Sequence, residues 1–213
     1  MRMLPIFVCY DSDLDGFERR SISQAIVELN ELFPEREIVN FGSAAWSDGD
    51  YSSADWYVKK AKLILRPGQE PQLDVNSIIR LLFLEPWQES APHIDVLFTS
   101  RDLAAKGLNF CFGMTDGRYT VQSVYQYRSL NAEDRRLAIK TVLWHELGHV
   151  FGCAGDLRRS NTEEKIGEHC TNFGCVMRQG MSLGEWVRHA REAKNCNRIY
   201  CPQCMADARR SRV

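Results

Sequence analysis

The stretch Thr141–Gly152 reads T-V-L-W-H-E-L-G-H-V-F-G and constrains the chain more than any other. His145 and His149 stand at i and i+4. On a helix that spacing puts both rings on one face, with Cβ atoms about 5–6 Å apart. Two imidazoles so held can close on one Zn²⁺ at about 2.0–2.1 Å each. Glu146 follows the first histidine and projects beside the open face of such an ion, where a general base would take a proton from water. The bland alternative is an exposed helix with two histidines and a carboxylate, and only five histidines occur in the whole chain. If the metal reading holds, this segment is a helix and the rest of the chain delivers a further ligand to it.

The flanks predict that helix. Asn131 fits an N-cap, and Glu133 and Asp134 complement the positive end of the first turn. Ala138, Val142, His145 and His149 form one stripe, and Leu143, Leu147 and Val150 anchor the other side. Gly152 suits the C′ position, where a positive φ is free of Cβ strain.

Upstream, Met3–Tyr10 reads as a first core strand, Ser21–Phe33 as a helix and Glu37–Phe41 as a second strand. Gly42–Ala54 reads as loop. Lys60–Leu65 reads as a third strand closed by Pro67 and Gly68, and Leu73–Leu84 as a helix. Ile94–Thr99, Asn109–Met114 and Tyr119–Tyr127 read as strands, the last two joined by a turn at Asp116 and Gly117. Ser182-x-x-Glu185 opens a final helix as a capping box, with Leu183, Trp186, Val187 and Ala190 inward. The fold class expected is α/β (α+β): a twisted mixed sheet with helices, an active-site helix carrying H-E-x-x-H, and a small metal-stapled C-terminal subdomain. A single domain over 1–213 is expected, with 1–152 as its sheet-and-helix part and 153–213 as the subdomain.

A catalytic zinc usually takes three protein ligands and one water. Three residues after Gly152 stands Gly155, which has no side chain to offer, and Asp156 is one place late. Further on come His169-Cys170-x4-Cys175-x-Met177 and Cys201-x2-Cys204. The short apolar run at the N-terminus lacks signal-peptide features, so a reducing cytoplasm is the expected compartment. There, eight cysteines favour metal ligation or free thiols over disulfides. Cys170, Cys175, Cys201 and Cys204 make a closed S4 set, which suits zinc and leaves no open position. Cys9, Cys111 and Cys153 have no partner pattern, and Cys9 and Cys111 read as small core residues.

The run from the third histidine into C-x4-C-x-M and then C-x-x-C resembles the archaemetzincin family of zinc metallopeptidases, in the metzincin clan. The resemblance covers the C-terminal third closely and Ile94–Tyr125 loosely. It implies His169 as third ligand of the catalytic zinc, reached across a polar insertion at 153–168 that reads as a surface excursion. It also implies a structural zinc on the four cysteines, and Met177 as the apolar floor beneath the catalytic ion. Two departures keep alternatives open. The long Gly152-to-His169 spacing leaves Asp156 as a rival ligand, and the long Met177-to-Cys201 gap leaves Cys196 as a rival cysteine. The activity implied is peptide-bond hydrolysis through zinc-activated water, with Glu146 as base. Substrate would lie extended along an edge strand, matched here to Tyr119–Tyr127.

A formal net charge of −1 gives no electrostatic case for nucleic acid or membrane partners. Few basic or aromatic residues interleave the late cysteines, which argues against a zinc-ribbon nucleic-acid module. His189 and His93 read as incidental, the first solvated. The competing functional class is a latent or regulatory zinc-binding protein whose cleft the 153–168 insertion covers.

Overall fold

Strand β1, Ile6–Tyr10, starts the fold, and almost all of its side chains are buried. In this computed structural model the described residues are 3–155, 158–163 and 168–210. They divide into two compact units, Leu4–Gln126 and Tyr127–Val213, the second including Met1–Met3.

In the first unit, helix α1 (Gly16–Leu32) follows β1. Asp15 caps it, accepting from Glu18 N at 2.8 Å, while the Glu18 carboxylate accepts from Asp15 N at 2.8 Å. That reciprocal box starts the helix five residues before Ser21. Its first turn is polar and carries no apolar period to read. Strand β2 (Ile38–Gly42) returns parallel to β1. Helix α2 (Ala54–Lys60), capped by Ser53, fills the stretch left unassigned between the loop and the third strand, and strand β3 spans only Leu63–Ile64. Strand β4 (Gln72–Asp74) leads into α3 (Val75–Phe83). Strand β5, Ile94–Thr99, is buried along its whole length. A short β6 (Leu103–Ala104) pairs with β4, and the β3-β4-β6 ladder forms a second sheet.

The main sheet closes with β7 (Gly113–Asp116) and β8 (Tyr119–Ser123), joined by a turn in which Gly117 takes φ 59°. Its order is β2-β1-β5-β8-β7, parallel except for the β7–β8 hairpin. Burial of β5 between two parallel neighbours fits its mostly apolar sequence, I-D-V-L-F-T. Cys9, Leu97 and Val121 of the sheet join Tyr57, Ile78 and Leu82 in one apolar cluster. Strand β8 ends at Ser123, and Tyr125–Ser129 is a 3₁₀ turn. β8 is therefore no edge: β5 and β7 occupy both of its sides, and the free edge beside it belongs to β7. The expectation that Tyr119–Tyr127 offers an edge to substrate is corrected accordingly, because its backbone groups are already spent on two neighbours.

The second unit holds α4 (Ala132–Val150), the two-stranded ladder of β9 (Thr162–Glu163) and β10 (His169–Cys170), α5 (Leu183–Asn195) and α6 (Pro202–Arg210). The protein is thus a mixed α/β fold with twisted sheets and, among the described residues, six helices and a four-cysteine cluster near the C-terminal end. Among the described residues no helix is long and apolar enough to cross a membrane.

Candidate metal centre

Helix α4 starts on Asn131, whose side-chain oxygen accepts from Asp134 N at 3.1 Å. Arg191 of α5 donates to both Asp134 oxygens at 2.7 Å and so ties the two helices together. Every residue from Thr141 to Gly148 is buried. A helix enclosed this way needs no polar face, which accounts for its apolar residues on all sides. Gly152, at φ 69°, ends it.

Gly148 sits between the two metal-spaced histidines where a side chain would not fit. A Cβ there would lie 2.1 Å from Met177 Sδ and 3.1 Å from Tyr200 Cε1. Met177 is fully buried, and the Tyr200 hydroxyl donates to Trp144 O at 2.5 Å, so neither side chain can easily withdraw. Gly148→Ala is expected to destabilise the protein by about 1–3 kcal/mol despite the better helix propensity of alanine. Urea unfolding of the two proteins checks this; a gain in stability would mean that Met177 gives way freely.

The structure brings His145, His149 and His169 together. Their ring centroids stand 4.9 Å (145–149), 5.1 Å (145–169) and 4.8 Å (149–169) apart, a nearly equilateral triangle. One nitrogen from each lies within 4.8 Å of the others. His145 Nδ1 is 2.7 Å from Val176 O. A carbonyl can only accept, so Nδ1 carries the proton and Nε2 keeps its lone pair. Glu168 Oε2 lies 4.0 Å from His149 Nδ1, beyond hydrogen-bond reach. The two Nε2 atoms then face each other at 3.2 Å. Burial, then the charges of His149 and His169, hold His145 well below the usual imidazole range. Burial, then His169, takes His149 down to about 3. Two neutral rings with opposed lone pairs suit a shared cation, and two ligands at about 2.0–2.1 Å on a tetrahedral ion lie about 3.3 Å apart. The residues present fit zinc. Glu146 is buried on the same helix, next to His145.

Cys170, Cys175, Cys201 and Cys204 gather in a second buried cluster. Cys170 and Cys201 sulfurs are 3.7 Å apart and those of Cys175 and Cys204 are 3.6 Å apart. Four sulfurs at about 2.3 Å on a tetrahedral zinc stand about 3.8 Å from one another, against about 2.05 Å for a disulfide. The Cys170 thiol is drawn down to about 6, first by its hydrogen bond with Cys175. Cys196 lies outside this cluster as the C-cap of α5, and Cys9, Cys111 and Cys153 are buried cysteines outside it as well. Asp156, the rival third ligand, lies outside the described residues.

Arg158 is a residue the sequence reading missed. Its guanidinium reaches Cys204 Sγ at 2.9 Å, Cys170 Sγ at 3.4 Å and Cys201 Sγ at 4.0 Å, and pairs with Asp207 at 3.2 Å. Four thiolates on one divalent ion would leave two negative charges, one of which this cation would offset. Nothing in the sequence around an arginine in a polar loop signals that role. The described parts of the insertion are thus anchored, by Arg158 and by β9 pairing with β10, rather than forming a simple surface excursion.

Two histidines also depart from expectation. His189 is buried, not solvated, and neither ring nitrogen has a hydrogen-bond partner among the described residues. His93 is buried beside Glu85 and Asp95. It stands one residue before β5, and its i, i+2 spacing from Asp95 was the available signal, since residues two apart share a face in extended chain.

Residues 93–210 match the model of Peptidase family M54. An archaemetzincin from Archaeoglobus fulgidus is 34% identical over 87 residues, covering 40% of this chain and 45% of that protein. One from Methanopyrus kandleri is 37% identical over 89 residues, covering 41% and 43%. The chain therefore spans less than half the length of these relatives in sequence. The crystal structure of archaemetzincin from Methanopyrus kandleri superposes with a TM-score of 0.64 at 20% identity, covering 99% of this chain and 96% of that one. At that identity the likeness concerns the fold.

Proposed function

Because the chain belongs to Peptidase family M54, we propose that it is a zinc metallopeptidase, one catalytic domain over 1–213, acting on peptides or proteins. The observation that carries this reading is the triangle of imidazoles at 145, 149 and 169, with Glu146 on the same helix. His145, His149 and His169 would hold a catalytic zinc, and the four clustered cysteines a structural one. Bound there, a zinc ion supplies Lewis acidity, lowering the pKa of water toward about 7 and polarising a carbonyl.

The rest falls to the chain. The Val176 carbonyl fixes the His145 tautomer so that Nε2 faces the ion. Trp186 packs edge-on to His145 at 5.2 Å between centroids and limits ring rotation. Glu146 takes the proton from the attacking water and returns it to the leaving amine. Its burial keeps the carboxylate from being dispersed in bulk solvent.

Metal stoichiometry tests the ligand set. Purified wild type is expected to hold two zincs, and His169→Ala one. Should His169→Ala keep both at full affinity, residue 169 is not a ligand and the triangle is fortuitous.

A further inference from the structure

The first unit carries a second polar cluster that the peptidase reading leaves unused. Glu85, His93 and Asp95 are all buried. His93 Nδ1 donates to Ala91 O at 2.7 Å. Its Nε2 meets Asp95 Oδ1 at 3.0 Å and Glu85 Oε2 at 3.4 Å. The Tyr57 hydroxyl donates to Glu85, and Gln88 Nε2 donates to Asp95 Oδ2 at 2.6 Å. Burial alone would lower the His93 pKa; its contacts with Asp95 and then Glu85 raise it to about 10.

Formally, two carboxylates and one imidazolium leave one negative charge. Burial, and then the Glu85 charge, raises the Asp95 pKa to about 6 against the pull of His93 and Arg118, and Arg118 Nε donates to the Tyr119 hydroxyl at 3.2 Å. Gln88 is buried; its Nε2 also lies 3.1 Å from His93 Nε2, and its Oε1 has no hydrogen-bond partner among the described residues. Beside these groups lies a cavity of about 100 Å³, lined by Glu85, His93 and Asp95 and by five aromatic side chains: Phe7, Phe41, Trp46, Tyr57 and Trp87. Phe7 stacks on His93 at 4.5 Å, and Phe41 and Trp46 continue the wall at 5.1 Å from Phe7 and 5.9 Å from Phe41. Phe41 and Trp87 keep part of their surface in solvent, which gives the cavity an entrance.

A small apolar molecule would leave the charge unanswered, and an anion would oppose it. A metal ion would meet the carboxylates but would draw nothing from the aromatic wall. A compact organic cation meets both, since ring faces attract positive charge and carboxylates complete the balance. We propose that this cavity binds the ammonium head of a small organic cation. The ligand class is a methylated or primary amine whose head fills the aromatic cage, with Asp95 as its counter-charge.

The test titrates zinc-loaded full-length protein with tetramethylammonium chloride, which cannot ligate the active-site metal, and follows tryptophan fluorescence. n-Butylammonium chloride separates primary from methylated heads, and tert-butanol is the neutral control. Saturable binding of either cation is expected, with none for tert-butanol. Asp95→Asn is expected to weaken it at least about 10-fold, and Trp87→Leu about 3–30-fold. Trp87→Leu removes only a partly exposed ring and serves if Asp95→Asn fails to fold. Glu146→Gln is expected to bind as wild type does, which separates this site from the peptidase reading. Absence of saturable binding overturns the proposal, as does equal binding of tert-butanol or indifference to both pocket variants. A third equivalent of divalent metal that Asp95→Asn removes would overturn it too, making the cluster a metal site.

Discussion

Replacing Glu146 by glutamine is expected to lower peptide hydrolysis about 10²–10⁴-fold, the range for loss of a positioned general base, with both zinc equivalents retained. The side chain is 6% exposed, and glutamine matches its volume, so packing changes little. The carboxamide cannot accept the proton from water, which isolates the chemical step from metal binding. A protease assay on a peptide library, run beside a zinc count, reads both quantities. If the variant cleaves as fast as wild type, Glu146 is not the base. If wild type itself cleaves nothing while holding two zincs, the latent-module reading gains, and Arg158 anchoring the insertion becomes the place to look for the block.

The part of this design legible in the sequence is the part that depends on fixed spacing. H-E-x-x-H requires a helix, and Asn131 and Gly152 mark its ends because cap positions have local chemistry. Burial of β5 was legible for a related reason: four apolar residues among the six of I-D-V-L-F-T fit a strand covered on both faces. Features set by distant chain segments were not legible. Helix α2 is seven residues long and buries only Ala54 and Tyr57, too few positions to define a period. The placement of β8 inside the sheet depends on the β7 hairpin folding back on it, and the alternation within β8 carries no information about its neighbours. His93 reads as a lone histidine until Glu85, some way back in sequence, is packed against it. His189 sits on an amphipathic helix among charged residues, and only the three-dimensional packing shows that it is covered.

Substituting Cys204 by serine is the second large effect expected, and it should reach both metal centres. The short run from His169 to Met177 carries a metal-facing imidazole, two of the clustered sulfurs and the carbonyl that orients His145. Its backbone is cross-tied, Cys170 N donating to Met177 O at 2.9 Å and Val176 N to Ile199 O at 3.1 Å. Thr171 N adds a tie to Asn161 O at 3.0 Å and Arg198 one to Phe173 O at 2.6 Å, and the sulfur cluster closes over the same run at Cys170 and Cys175, so the position of His169 rests on both. Structural zinc sites in small peptides hold about 10–16 kcal/mol of apparent binding free energy, much of it folding free energy. Loss of one thiolate from a set of four therefore removes a large share of what fixes this loop. Cys204→Ser is expected to lose the structural zinc, to unfold well below wild type on heating, and to bind the catalytic zinc at least about 10-fold more weakly, as removal of supporting groups does elsewhere. Cys196→Ser, at the end of α5 and outside the cluster, is the control and is expected to keep both ions. Elemental analysis after dialysis against a chelator, with thermal unfolding alongside, measures the two. If Cys204→Ser holds two zincs through that dialysis, the sulfurs are ordinary thiols. His169 must then owe its place to the β9–β10 ladder and the backbone ties of the run.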